Sequence, residues 1–207
     1  TKEGISSIGY EAFYGCDSLV NVELASTIKT IGNGAFNNCE KLEIVNIPRE
    51  CEEIGKEAFS GCALLEEIVI PENVTTIGVH AFNGDVNLKN IVIKTGNRDA
   101  IIGEGSFADC RSLTSIIIPE NYTAIGPRAF SECKSMQTVE VEGKLTEIDY
   151  EAFYNCISLE TVNIKGVAKI GSAVFGACEK LKDVNIPKYQ LILHFFNFLI
   201  DLLNRKV

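Results

Sequence analysis

Eight cysteines, two histidines and a surplus of carboxylates are the residues of this 207-residue chain whose types could do chemistry. Seven of the cysteines fall at one position of a recurring pattern, three residues after a phenylalanine. They are Cys16, Cys39, Cys62, Cys110, Cys133, Cys156 and Cys178, and Asp85 takes the slot in the fourth copy. Stacked in register, their Cβ atoms would stand about 4.8 Å apart, whereas a disulfide wants about 3.8 Å. The column is therefore expected to be buried free thiols acting as small hydrophobes. Cys51 lies in a variable link and is expected at the surface. No C-x-x-C pair occurs, so a zinc site is not expected. His80 belongs to a variable pair read as facing solvent, and His194 has no cysteine or carboxylate at metal-ligand spacing. The glycines stand singly rather than in a phosphate-cradling loop. No loop alternates oxygen ligands as an EF-hand does. Neither enzymatic activity nor a cofactor is expected.

These residues hang on a single repeat. Phenylalanine recurs at Phe13, Phe36, Phe59, Phe82, Phe107, Phe130, Phe153 and Phe175, in steps of 23, 23, 23, 25, 23, 23 and 22 residues. A fixed period in this range is the mark of a solenoid. The cleanest copy, Ile54 to Pro71, reads IGKEAFSGCALLEEIVIP. Ile54, Ala58, Phe59 and Cys62 are spaced as one face of a short helix. Ile68 and Ile70 alternate as in a brief strand with one buried face, and Pro71, which cannot donate to a ladder, ends it. Each unit is thus predicted to be a strand, a turn and a short helix that buries its apolar side only by stacking on its neighbours. Eight rungs at about 4.8 Å make a rod roughly 40 Å long.

The unit I-G-x-x-A-F-x-x-C-x-x-L-x-x-V-x-I-P resembles the BspA-type leucine-rich repeat family of surface proteins from bacteria and some protozoa, over Ile5 to about Pro187. That resemblance implies a right-handed solenoid of about eight turns, with a parallel sheet on the concave face and short helices on the convex face. It also implies an extracellular or cell-surface setting and a role in adhesion or host-protein binding.

Composition narrows the partners. A net charge of −9 and a pI near 4.8 argue against nucleic acid or an anionic membrane. The chain opens on Thr, and no segment joins a charged start, an apolar stretch and a cleavage site, so it reads as a processed or excised piece. Residues 1–187 are assigned to the solenoid, the first repeat being incomplete. Residues 188–207 are assigned to a degenerate ninth turn and a C-terminal capping helix. The apolar run there, Leu191 to Leu203, is too short for a membrane span of about 20 residues. The fourth turn carries a longer link, with Gly96 and Asn97 as turn formers, and is expected to protrude. Two Asn-x-Thr sequons, at Asn73 and Asn121, fall in equivalent links.

What remains is a surface. Two residues of each strand point away from the core, and stacking makes them columns. The inner column reads Glu23, Asn46, Val69, Val92, Ile117, Glu140, Asn163 and Asn185. The neighbouring column reads Asn21, Ile44, Glu67, Asn90, Ser115, Thr138, Thr161 and Asp183. An apolar centre at Val69, Val92 and Ile117, with Ile44, Glu67 and Asn90 beside it, has the make-up of a binding patch with a polar rim. The same β-branched residues would stabilise adjacent strands whether or not anything binds. The first expectation is a non-enzymatic module holding a protein or glycan on this face. The second is a scaffold or spacer that self-associates end to end through the solenoid's open ends.

Overall fold

The computed structural model describes residues 4–187. Among them the strands, in chain order, are β1 (Ser7–Ile8), β2 (Asn21–Glu23), β3 (Thr30–Ile31), β4 (Ile44–Asn46), β5 (Glu53–Ile54), β6 (Glu67–Ile70), β7 (Thr76–Ile77), β8 (Asn90–Ile93), β9 (Ala100–Ile102), β10 (Ser115–Ile118), β11 (Tyr122–Ile125), β12 (Thr138–Ile148), β13 (Thr161–Ile170) and β14 (Asp183–Asn185). Every pairing is parallel and joins one turn to the next. Each turn contributes two strands rather than the one expected. A long-strand face runs through β2, β4, β6, β8, β10, the first halves of β12 and β13, and β14. A short-strand ladder runs β1-β3-β5-β7-β9-β11 into the second halves of β12 and β13. Proline holds the two apart in some turns, and the loop from Lys94 does so after β8. Pro71 and Pro119 follow β6 and β10, whereas β12 and β13 lack a proline at that point and run on for 11 and 10 residues.

No helix is present among the described residues, which corrects the expected convex helices. The segments from Gly55 to Leu65 and their equivalents are arcs of consecutive tight turns. Ala58, Ser60, Cys62 and Leu65 donate backbone N–H to the carbonyl three residues back. The intervening Glu57, Phe59 and Gly61 donate instead to Val79, Ala81 and Asn83 of the next turn. A helix is ruled out by backbone sign: Glu57 has φ of 54° and Gly61 of 76°, in the left-handed region that closes a type II turn. The same two positions are left-handed in the other turns, for example His80 and Gly84, or Glu151 and Asn155. Apolar spacing of four, five and eight residues therefore arises here from turns, each lined up so that its inward side chains meet those of its neighbours.

Those side chains form the core. The eight phenylalanine rings stack in one file, with centroids 5.0 to 5.5 Å apart and planes within 13° of parallel. Beside them runs the cysteine column. All eight cysteines are free, and each interior in-register thiol makes a contact that simple burial did not predict. Cys39 Sγ donates to Phe13 O, Cys62 to Phe36 O, Cys110 to Phe82 O, Cys133 to Phe107 O and Cys156 to Phe130 O, over 3.1 to 3.4 Å. The thiols thus tie each turn to the one before. At the first turn Cys16 is exposed, and Cys178 in the last is half-buried. Cys51, expected at the surface, is instead fully buried, with Sγ donating to Glu53 O at 3.4 Å. Burial pushes its thiol pKa up to about 11. The link that carries it folds inward, because Pro48 O accepts the Cys51 N–H and closes a turn.

The fourth turn breaks the column. Asp85 is wholly buried; its Oδ1 accepts the Cys62 backbone N–H at 2.8 Å, and its Oδ2 has no partner. Burial drives the carboxyl pKa well above the usual range, opposed only by backbone N–H groups of Cys62 and Gly61. In the same turn His80, read as facing solvent, is half-buried. Its Nδ1 lies enclosed without a hydrogen bond against Gly105, where any Cβ would collide with the ring.

Candidate binding face

Alternation along the long strands sets the face. In β6, Ile68 and Ile70 are buried while Glu67 and Val69 are exposed; β8 and β10 repeat the pattern. Val69 pairs with Val92 and Glu67 with Asn90, and Asn90 Nδ2 donates to Glu67 Oε1 at 2.9 Å. Ile117 pairs with Glu140. Relative exposures of 48% for Val69, 44% for Val92, 52% for Ile117 and 61% for Ile44 leave these apolar side chains on the surface. All six residues expected on the face lie there.

The face is not one continuous ladder. β2 pairs only with β4, and β6 only with β8, while β10 joins β12, β13 and β14. Val69 and Val92 therefore share a ladder, and Ile117 stands across an unpaired boundary from Val92. Ile44 stands across another from Glu67. Against the β8–β10 boundary lies a shallow open groove of about 300 Å³, lined by Glu67, Val69, Asn90, Val92 and Ser115, with Ile68 and Ile91 beneath. That is the lower end of the range of roughly 300–1,000 Å³ for enclosed small-molecule sites. Its openness and apolar floor suit a macromolecular contact better than a small ligand.

The link edge also differs from expectation. The loop Lys94 to Asp99 is exposed but latched down. Asn121 Oδ1 accepts the Gly96 N–H at 3.1 Å, and Asn121 Nδ2 donates to Arg98 O at 3.0 Å. Arg98 reaches back to Asn73 O at 2.8 Å and to Glu52 at 3.4 Å, two turns away. The sequon asparagines share this work, since Asn73 Nδ2 donates to Arg49 O at 3.0 Å. Both Asn73 and Asn121 amides are thus engaged with backbone. What sequence reasoning missed here is the short-strand ladder behind these links, whose two-residue strands are too short to show alternation.

No cluster of three or more His, Cys, Asp or Glu poised for a metal occurs among the described residues. Nor is any helix there long and apolar enough to cross a membrane. The predicted capping helix at 188–207 lies outside the described residues.

Three solved structures share the architecture. A leucine-rich cell surface protein from Faecalibacterium prausnitzii A2-165 matches with a TM-score of 0.61 and 21% identity, over 90% of this chain and 78% of that one. The leucine-rich repeat protein of T. pallidum matches at 0.60 and 27% identity, over 90% and 73%. The pneumococcal vaccine antigen PcpA matches at 0.63 and 20%, over 88% and 56%. A comparison with curated proteins finds no match. The model of the BspA type leucine rich repeat region matches residues 1–99 and 100–197 in six copies. A 23-residue period, parallel strands stacked turn on turn and this match over nearly the whole length agree, and the chain belongs to the BspA-type leucine-rich repeat family.

Proposed function

We propose that the chain is a non-enzymatic binding module of a surface or secreted protein that holds a protein or glycan partner on its long-strand face. The family resemblance implies that this face is the concave side of a right-handed solenoid. The observation that carries the reading is the row of exposed Val69, Val92 and Ile117 in the middle of the face, with Ile44 exposed in the neighbouring column and polar residues at either end. Solvated β-branched side chains on neighbouring strands form a contiguous apolar surface of the kind found at the centre of interfaces. Setting in the cell is carried by likeness alone: one structural relative is described as a cell surface protein.

The test replaces Val69, Val92 and Ile117 together with lysine. A control places lysine at Leu64, Val79 and Tyr154, which are exposed apolar residues of the turn arcs. Wild type and both variants are screened for adhesion to host-cell and matrix surfaces. Loss of adhesion in the strip variant alone supports the reading. Equal adhesion by all three refutes it.

The first turn favours a second reading, end-to-end self-association. Ile5, Tyr10, Phe13 and Tyr14 are exposed there, although Phe13 stacks on Phe36 at 5.0 Å on its inner side. Light scattering over a concentration range would show linear growth if this end recruits another copy.

A further inference from the structure

We infer that the occupant of the long-strand face is a polypeptide segment with branched or aromatic side chains at its centre and lysine or arginine on its flanks. This rests on the reading of that face as the binding surface. Charge on the face decides the sign of the partner. In the two outward columns and the column just before the strands, the only cations are Lys89 and Lys182, while Lys94 and Lys165 lie exposed at the opposite margin, two residues beyond Val92 and Asn163. The first two are already tied to carboxylates of the same face, Lys89 to Glu66 at 2.8 Å and Lys182 to Glu160 at 3.1 Å. Glu23, Glu43, Glu67, Glu140 and Asp183 have no ion-pair partner among the described residues. Four of these five lie around the apolar centre: Glu67 shares β6 with Val69, Glu140 pairs with Ile117, and Glu43 and Glu23 stand one and two rungs before β6. A partner that covers the strip must lie against these carboxylates. Flanking cations turn the desolvation of that rim into attraction and steer encounter, whereas flanking anions would be repelled.

Side-chain type decides between polypeptide and sugar. The strip offers branched aliphatics, which bury well against apolar side chains but give no flat ring on which a sugar can stack. Among the described residues the exposed aromatics, Tyr10, Phe13, Tyr14, Tyr150 and Tyr154, all sit on the turn arcs instead of the strands. The hydrogen-bonding side chains bordering the groove, Glu67, Asn90 and Ser115, are few, and Glu67 and Asn90 already satisfy one another.

The experiment pans a phage-displayed library of random short peptides on the folded chain. Clones that also bind a strip variant (Val69→Ser, Val92→Ser and Ile117→Ser) are removed, and a glycan microarray is probed in parallel with both proteins. The proposal expects strip-dependent peptides of net positive charge. Their binding to the rim variant Glu23→Lys with Glu140→Lys should weaken about tenfold at low salt and less at high salt. Strip-dependent peptides that are neutral or acidic overturn the basic partner and leave the face reading standing. Strip-dependent binding to glycans alone overturns the polypeptide. No strip-dependent binding to either probe overturns this inference together with the reading beneath it.

Discussion

Replacing Asp85 with cysteine restores the column that the fourth turn interrupts, and the gain should depend on pH. Asp85 lies between Cys62 and Cys110 in the stack, both neutral thiols, and no described cation pairs with it. One carboxyl oxygen accepts the Cys62 N–H, and the other is buried without a partner. The neutral acid is the form this site favours, because burial raises its folded-state pKa. An unfolded aspartate titrates near 3.9. Below that value both states are protonated and the site imposes no ionisation penalty. Between it and the raised folded pKa, the unfolded chain releases a proton that the folded chain keeps, so stability falls as pH rises, by about 1.4 kcal/mol per unit. At the acid end Asp85→Cys should still gain about 1–3 kcal/mol by removing the orphaned oxygen. The regained thiol is placed to donate to Phe59 O, as its neighbours do to their phenylalanines. Urea melts of both proteins from about pH 4 to about pH 8 should therefore show a gap that opens with pH. Asp85→Asn should share the flattened pH dependence, because it removes the titrating group and keeps an acceptor for Cys62. A gap that stays constant with pH, or closes, would refute a buried neutral acid.

Three further outcomes follow from the same packing. Phe59→Ala, in the middle of the ring file, should cost about 3–5 kcal/mol, while Val79→Ala on the exposed arc should stay within about 0.5 kcal/mol; equal effects in urea melts would mean the buried face is misassigned. Thiol titration under native conditions should detect Cys16 first and Cys178 next, with Cys51 silent. All eight should react after denaturation without reductant, and a count near zero there would reveal disulfides. Ala173, held at φ of 51°, should be improved by Ala173→Gly by up to about 1 kcal/mol, the lower cost of a left-handed alanine. A fall in melting temperature would show that the arc is not left-handed there.

Much of this architecture could be read before any coordinates. The period, the phenylalanine file, the thiol column and the outward columns all follow from residues that repeat every 23 positions, because inward and outward side chains answer to opposite demands. Ile54, Ala58, Phe59 and Cys62 have helical spacing, but spacing alone does not report backbone sign. A second signal was present. The position two residues after each phenylalanine reads Gly15, Asn38, Gly61, Gly84, Asp109 and Asn155 in most turns, the residues that tolerate φ above zero. Links are usually wet, which puts Cys51 outside, yet Pro48 folds this one inward. The gaps between β4 and β6 and between β8 and β10 have no counterpart in residue type. The exposed valines and isoleucines of the strip were legible, and their occupant was not, since strand stability and binding ask for the same side chains.

Backbone hydrogen bonding from each arc to the next makes every turn an interchangeable storey. Deleting or duplicating one whole unit leaves the donors and acceptors of its neighbours matched, because each storey presents the same pattern above and below. On the long-strand face such an event removes or adds one row of the apolar strip, about 4.8 Å of its length, and shifts the acidic ends by the same distance. Removing the storey that holds Asp85 would delete Val92 and seat Val69 beside Ile117 in one step. In a chain built this way, recombination between repeats resizes the contact surface in units, and point substitution only adjusts its texture.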